Sequence, residues 1–363
     1  MTKFAIKFIF IFFALSLFGK VDSENSKFNF AVVGMDHGHI YGQTAGLERA
    51  GAFCKYAYDK DPKKLKAFLK KFPNAKAARS LDEILADNSV KLVASAIVPV
   101  QRIDIAKRVM ESGRDFFADK PAVVSLEQLD LAKALVNKTG KKYIPYFGER
   151  FENASCTVAE NLVKSGAIGK VVCINILAPH NLNIKSRPEW FFEKEKFGGI
   201  ITDIGAHQFD IFLTYSGASS GTVKYARVEN FSHKEYPQLE DFGEAVLVMD
   251  NLVSCSLRVD WFSPDKLGTW GDSRIFIVGD KGYIELRNNI DLCKPLAKQS
   301  LYLCVSGKAP ELIDCSKQKN PFFDNLVGDI LNRTENAITQ KAAFKAMELA
   351  LKTQQLADQT RQK

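Results

Sequence analysis

Phe28-Asn29-Phe30-Ala31-Val32-Val33-Gly34-Met35-Asp36-His37-Gly38-His39-Ile40 is the stretch that decides the fold. It opens almost wholly apolar, reaches a glycine, and gives way to a helical pattern from about Ile40 to Ala50. A short apolar run closed by glycine describes a strand buried on both faces, as in a parallel sheet. The alternation then repeats. Phe53–Asp59 reads as a strand ending in an acid, Pro62–Phe72 as a helix, and Ser80-Leu81-Asp82-Glu83 as a helix start with a capping-box pattern. Lys91–Ile97 is a third strand, Arg102–Ser112 a helix, Asp115–Asp119 a fourth strand, Ser125–Asn137 a helix and Lys142–Tyr146 a fifth strand. This spacing implies α/β architecture: a doubly wound parallel (Rossmann) sheet over residues 26–148.

Beyond Arg150 the pattern changes. A helix from Ala154 to Ser165 leads into the strand Lys170–Leu177. Further strands are expected at Gly221–Glu229, Phe242–Met249, Val253–Trp261, Ser273–Val278 and Gly282–Arg287. Short turns join several of them, so residues 149–321 read as an α+β domain with an open, mostly antiparallel sheet. Residues 322–363 form a helical tail, whose apolar-periodic part (Ala337–Ala357) is expected to pack back on the first domain.

A chain of 363 residues is too long for one ordinary core and suits two domains. With 46% hydrophobic and 25% charged residues it has the composition of a globular protein, which excludes disordered and fibrous classes. The net charge of +8 is spread over scattered lysines. No concentrated basic patch with interleaved aromatics stands out, so no nucleic-acid partner is expected. Lys3 and Lys7 flank the start of an apolar run from Phe8 to Gly19 that turns polar at Lys20. Residues 1–23 thus read as a signal peptide cleaved between Gly19 and Ser23, with export to the periplasm or beyond. The run is too short to span a bilayer, so no stable membrane insertion is expected after cleavage. None of the seven cysteines sits in a CxxC pair. Export permits disulfides, and Cys293, Cys304 and Cys315 are where one is expected; Cys54, Cys173 and Cys255 read as small buried hydrophobes.

In doubly wound sheets ligands bind beyond the carboxyl ends of the strands. The first turn carries Gly34, Asp36, His37, Gly38 and His39, whereas a full GxGxxG would need glycine at 34, 36 and 39. Asp36 therefore places a carboxylate where backbone should approach a pyrophosphate. Asp59, ending the second strand, is placed for a ribose 2′-hydroxyl. The Asp-His-Gly-His cluster admits a metal reading, but a helix N-terminus disfavours a cation, and no metal is expected. His37 and His39 are instead expected to pack the turn or to donate to a phosphate. Lys120, in Asp119-Lys120-Pro121, stands at the same sheet edge. Gly198-Gly199-Ile200-Ile201-Thr202-Asp203-Ile204-Gly205-Ala206-His207-Gln208-Phe209-Asp210 sets Asp203, His207 and Asp210 on one stripe of an apolar helix.

These segments resemble the Gfo/Idh/MocA family (glucose–fructose oxidoreductase, inositol dehydrogenase, rhizopine catabolism). The resemblance rests on the glycine turn, the Lys-Pro step and the GGxxxDxGxHxxD segment. Tyr146–Phe151 leading to Gly166-xx-Gly169, the Trp190 approach to the glycine pair, and Ile277–Glu285 add to it. It implies an NAD(P)-dependent oxidoreductase, with NAD as cofactor and NADP open because Lys60 adjoins Asp59. By position, Lys120 matches the lysine that contacts nicotinamide and substrate hydroxyl, and Asp203 and His207 match the substrate-binding and acid–base pair. Gly34, Asp36, His37, Gly38, His39, Asp59, Pro99 and Lys120 fall where the family contacts its cofactor. Two departures stand out: Asp119 replaces the usual Glu before Lys-Pro, and Arg102 replaces a histidine. A homo-oligomer built on the second-domain sheet is implied as well.

The substrate class implied is a carbohydrate: the CH–OH group of a sugar, polyol or relative. Lys120 would stabilise developing alkoxide, His207 would take the proton near an unperturbed imidazole pKa, and Asp203 would position the substrate. Specificity is expected from the loops Pro179–Pro188 and Phe231–Asp241. Two other readings stay open: a glycoside hydrolase or epimerase with transient redox, and a carbohydrate-binding protein without cofactor.

Overall fold

The computed structural model describes residues 28–294 and 299–361, so the signal peptide expected over residues 1–23 lies outside them. The chain begins β1 (Phe28–Val33), α1 (His39–Arg49), β2 (Ala52–Tyr58), α2 (Pro62–Lys71), β3 (Lys76–Ala77) and α3 (Leu81–Ala86). It continues β4 (Val90–Ser95), α4 (Arg102–Glu111), β5 (Asp115–Asp119), α5 (Leu126–Thr139) and β6 (Tyr143–Tyr146). The strands pair in parallel in the order β3-β2-β1-β4-β5-β6, the doubly wound arrangement whose switch point lies between β1 and β4. Phe30, Ala31, Val32 and Val33 are buried because helices cover both faces. Local chemistry fixes the helix starts: Asp61, Ser80 and Ser125 each accept a backbone N–H at the head of α2, α3 and α5.

The second half holds α6 (Gly148–Phe151), α7 (Ala154–Lys164), β7 (Val171–Pro179), α8 (Lys194–Phe197), α9 (Ile200–Asp203) and α10 (Ala206–Ser216). Then come β8 (Gly221–Glu229), β9 (Phe242–Met249), β10 (Ser254–Asp260), β11 (Ser273–Gly279) and β12 (Gly282–Asn288). β13 (Gln299–Val305), β14 (Glu311–Ile313), α11 (Phe322–Asn332) and α12 (Gln340–Arg361) complete it. The second sheet runs β14-β13-β12-β11-β7-β10-β9-β8, antiparallel except for the β7–β10 pair. Ile174, Ile176, Leu257, Val259, Ile275 and Ile277 point to one buried face, over which α10 and α12 lie. The Gly166–Gly169 segment docks on the β11–β12 turn. Gly169, at φ 73°, has no room for a Cβ beside Asp280, whose carboxylate accepts the Lys170 N–H at 2.9 Å.

The helical tail departs from expectation in two ways. It is broken at residues 333–339, with Arg333 in the left-handed region at φ 56°. Its long helix α12 lies mainly on β8, α9 and α10 of the second domain and touches the first domain through α5 and β6. The reason is that buried Ala343, Ala346, Met347, Ala350, Leu351 and Ala357 leave more than one side of α12 apolar. The shorter α11 does return to the first domain, where Phe323 fills the notch left by Gly46 of α1 and Phe151 stacks on Phe322 at 3.7 Å. The expected disulfide does not form: all seven cysteines are free thiols. Cys304 is fixed opposite Tyr283 within β13, while Cys293 and Cys315 lie in segments outside the strands.

Candidate active site

The ends of β1, β5 and β7 and the start of α10 meet around a cavity of about 420 Å³. Lys120, Asp203 and His207 all line it, as do His37, Gly38 and His39. Lys120 Nζ donates to Asp203 Oδ1 at 2.8 Å, and both residues are almost wholly buried. Burial raises the Asp203 carboxyl, but the Lys120 ammonium beside it outweighs this and holds it below the ordinary carboxylate range. Asp203 ends α9, whose N-terminus is anchored from afar. The Ile200 N–H donates to Glu240 and the Ile201 N–H to Gln354 of α12, each at 2.9 Å. A Cβ on Gly199, at φ 90°, would collide with Gln354, which explains the second glycine of the pair.

Asp210, expected on the same stripe, does not reach the cavity. α9 and α10 are separate helices, and Arg150 grips the Asp210 carboxylate at 2.5 and 2.9 Å. His207 is 3% exposed and its Nδ1 has no hydrogen-bond partner among the described residues. Burial first, and then Lys120, hold its pKa well below that of free imidazole. The unperturbed imidazole expected from sequence is thereby corrected: burial and the Lys120 ammonium make the His207 ring less basic than a free one.

The first turn is built around Asp119. Its fully buried carboxylate meets His37 Nδ1 and His39 Nδ1, each at 2.9 Å. An ionised carboxylate only accepts, so each imidazole turns a protonated Nδ1 toward Asp119. Burial would raise Asp119, yet the two histidines hold it well below the usual range, while burial pushes His37 down to about 4. The donor atoms of His37, His39 and Asp119 lie within 4.8 Å of one another. They engage each other in hydrogen bonds that a metal ion would have to break. Arg102 completes the frame. Its buried guanidinium donates to the carbonyls of Ile97 (2.9 Å), Asp119 (2.8 Å) and Pro121 (2.7 Å), so it clamps both sides of the Lys-Pro step.

Gly34, Asp36, Asp59 and Pro99 do not line the cavity; they lie along the turn beside it. Gly34 has φ 78° and would collide with Ile97 if it carried a Cβ. Asp36 pairs with Lys64, which neutralises its charge, and accepts the Val98 N–H at 3.3 Å. Asp59 accepts the N–H groups of Met35 and Asp61, each at 2.7 Å. Each of its oxygens keeps a lone pair for a ribose hydroxyl. Pro99 is buried at the head of a single helical turn. A Cβ at Gly38 would meet nothing within 4 Å, so the backbone there is open to a ligand. With Asp36 neutralised, Gly38 open and Asp59 in place, the turn fits the diphosphate and ribose of a dinucleotide.

Sequence reasoning missed several lining residues. His180, Asn181 and Arg187 come from the Pro179–Pro188 loop, as expected, but Trp261, Trp270 and Glu149 were not singled out. Glu149 lay within the Tyr146–Phe151 signature, and that was its only signal. The Phe231–Asp241 loop stays away from the cavity, because Asp241 ties it to itself through Phe231, Ser232 and His233.

Residues 28–147 match the oxidoreductase family with the NAD-binding Rossmann fold, and residues 157–285 match the GFO/IDH/MocA C-terminal domain. The crystal structure of an oxidoreductase from Erwinia carotovora atroseptica SCRI1043 is 38% identical, with a TM-score of 0.88, over 91% of this chain and 99% of that one. An oxidoreductase of Synechocystis sp. is 25% identical over 239 residues, 63% of each chain. The scyllo-inositol 2-dehydrogenase (NAD(+)) of Bacillus subtilis is 25% identical over 204 residues, 56% of each chain. The match thus spans less than two thirds of either curated relative. The two family matches together span most of the chain, and it belongs to the Gfo/Idh/MocA family of oxidoreductases, with the family's NAD-binding Rossmann fold as its first domain.

Proposed function

We propose that this protein oxidises a secondary hydroxyl of a sugar, polyol or related carbohydrate, with NAD as the preferred cofactor. The observation that carries the reading is the buried Lys120–Asp203 pair, which shares one cavity with the unpartnered His207. Bound NAD supplies the hydride acceptor. Lys120, held by Asp203, keeps further N–H donors for the substrate oxygen and stabilises the negative charge that develops there. Neutral His207 accepts a hydrogen bond from the hydroxyl and orients it. Trp261 and Trp270 add aromatic surface on which the apolar face of a sugar ring can rest. The relative named as an inositol dehydrogenase supports a polyol or sugar over other alcohols.

The test is to identify any dinucleotide carried by the purified protein by absorbance and mass spectrometry, then to follow NADH formation with a panel of sugars and polyols. NADH formation with a carbohydrate supports the reading; none across the panel, with nucleotide bound, sinks it. We further propose export by cleavage within residues 19–23, which N-terminal sequencing of the mature protein checks. The uncovered face of the second sheet exposes Leu177, Val246 and Tyr283 and is the proposed homo-oligomer interface, checked by light scattering.

A further inference from the structure

Glu149 sits on α6 in the wall of the same cavity and is only 5% exposed. Its Oε2 is held from two elements, by Gln208 Nε2 of α10 at 2.8 Å and Ser273 Oγ of β11 at 3.4 Å. Its Oε1 has no hydrogen-bond partner among the described residues. His180 Nε2, just past the end of β7, lies 3.7 Å from Oε1. His180 Nδ1 lies 3.1 Å from the Ala178 carbonyl, which only accepts, so Nδ1 carries the proton and Nε2 presents a lone pair. Two lone pairs face each other unless the carboxyl itself carries a proton.

We propose that Glu149 is the proton-exchanging group of this cleft, taking the proton of the carbohydrate hydroxyl on oxidation and returning it on reduction. The proposal rests on the redox reading above and deepens it. The hydroxyl O–H bond breaks toward Oε1, its electron pair becomes the new C=O π bond, and the carbon gives up its hydride. The protonated carboxyl then releases its proton to solvent. The surroundings set this balance. Burial pushes the Glu149 carboxyl up to about 7, and the Gln208 hydrogen bond, Lys120 and the Ser273 hydrogen bond offset it only in part. The other titratable neighbours are His180, itself pushed down to about 3 by burial and then Lys120, and Cys156 of α7, whose thiol burial pushes up. Neither brings positive charge at neutral pH. A carboxyl poised near the working pH suits proton exchange.

The test combines a spectroscopic titration with kinetics on wild type and Glu149→Gln. Infrared titration of the purified full chain should show a protonated-carboxyl band that fades as the pH passes through neutrality and is missing from Glu149→Gln. The variant should also lose the corresponding limb of the kcat–pH profile, with kcat lowered by ~10²-fold and carbohydrate KM little changed. A purely structural role would leave the shape of the profile unaltered. Absence of the band, or its survival in Glu149→Gln, overturns the proposal, as does a variant with unaltered rate and profile. If wild type forms no NADH with any carbohydrate, the redox reading fails, and the infrared titration still decides whether Glu149 holds the proton.

Discussion

Lys120 Nζ lies 2.8 Å from Asp203 Oδ1, with both side chains withdrawn from solvent, one from the Rossmann domain and one from the helix pair of the second domain. The pair therefore joins the two domains at the point where substrate is proposed to bind. Removing one partner leaves the other buried and uncompensated, which typically costs about 3–5 kcal/mol. Lys120→Ala is expected to lower kcat/KM by at least ~10²-fold and to lower stability as well. Lys120→Ala with Asp203→Asn should recover much of the stability and none of the activity. Steady-state NADH formation and urea unfolding check both parts. Near wild-type turnover in Lys120→Ala would remove the lysine from the reaction.

Acid should destabilise this protein early. His37, His180 and His207 all have folded pKa values pushed below that of free imidazole, chiefly by burial. In the unfolded chain each takes up a proton near ~6.5. Their contribution is thus complete above that pH and is lost as the pH falls toward the folded values. Each histidine contributes a slope of about 1.4 kcal/mol per pH unit. Urea unfolding at pH 7.5, 6 and 5 should show a steep decline, and His180→Asn should flatten it. A stability constant across this window would contradict the buried neutral rings.

The parallel half of the fold was legible because each strand is a short apolar run closed by a turn signal, and β5 falls at Asp115–Asp119, as expected from sequence. β3 was not legible, since two exposed residues, Lys76 and Ala77, carry no apolar pattern. β13 was not singled out either, although Leu301 and Leu303 alternate inward. The site was legible at Lys120, Asp203 and His207, where polar residues interrupt apolar runs. Glu149 and the tryptophans were not, because their positions depend on how distant segments dock. His207 does line the cavity, but its lowered pKa was not legible, since burial is a property of the fold.

Arg102, a departure from the family pattern, is expected to be indispensable to the shape of the Lys-Pro step. A planar guanidinium reaches three carbonyls at once, whereas an ammonium on a thinner stem does not. Arg102→Lys should therefore lower the melting temperature and also raise KM, because the position of Lys120 loosens. Thermal melts and steady-state kinetics check this. Full activity in Arg102→Lys would show that the Lys120–Pro121 step holds its shape without the clamp.

Asp36 is tolerated in the first turn because Lys64 pairs with it. Lys64→Ala should leave an uncompensated carboxylate beside the proposed diphosphate site and weaken NAD binding roughly tenfold, equivalent to about 1.4 kcal/mol. Asp36→Gly in the same background should restore binding, since it removes the charge and supplies the glycine of the usual fingerprint. Titration calorimetry with NAD checks both. An unchanged Kd in Lys64→Ala would place the diphosphate away from Asp36.

Glu149 should make the protein less stable as the pH rises. In the folded chain its carboxyl keeps its proton to about 7, whereas in the unfolded chain it loses the proton near ~4.3. The favourable contribution is complete below the unfolded value and is lost as the pH climbs through the folded one, a difference of roughly 3 kcal/mol by pH 8. Glu149→Gln carries no such charge and has the same shape, so its melting temperature should match wild type near pH 4.5 and exceed it at pH 8. A difference that does not grow with pH would mean that the buried carboxyl is ionised throughout. Greater stability together with lower activity in one variant is the pattern expected where a buried acid is kept for its chemistry and not for the fold.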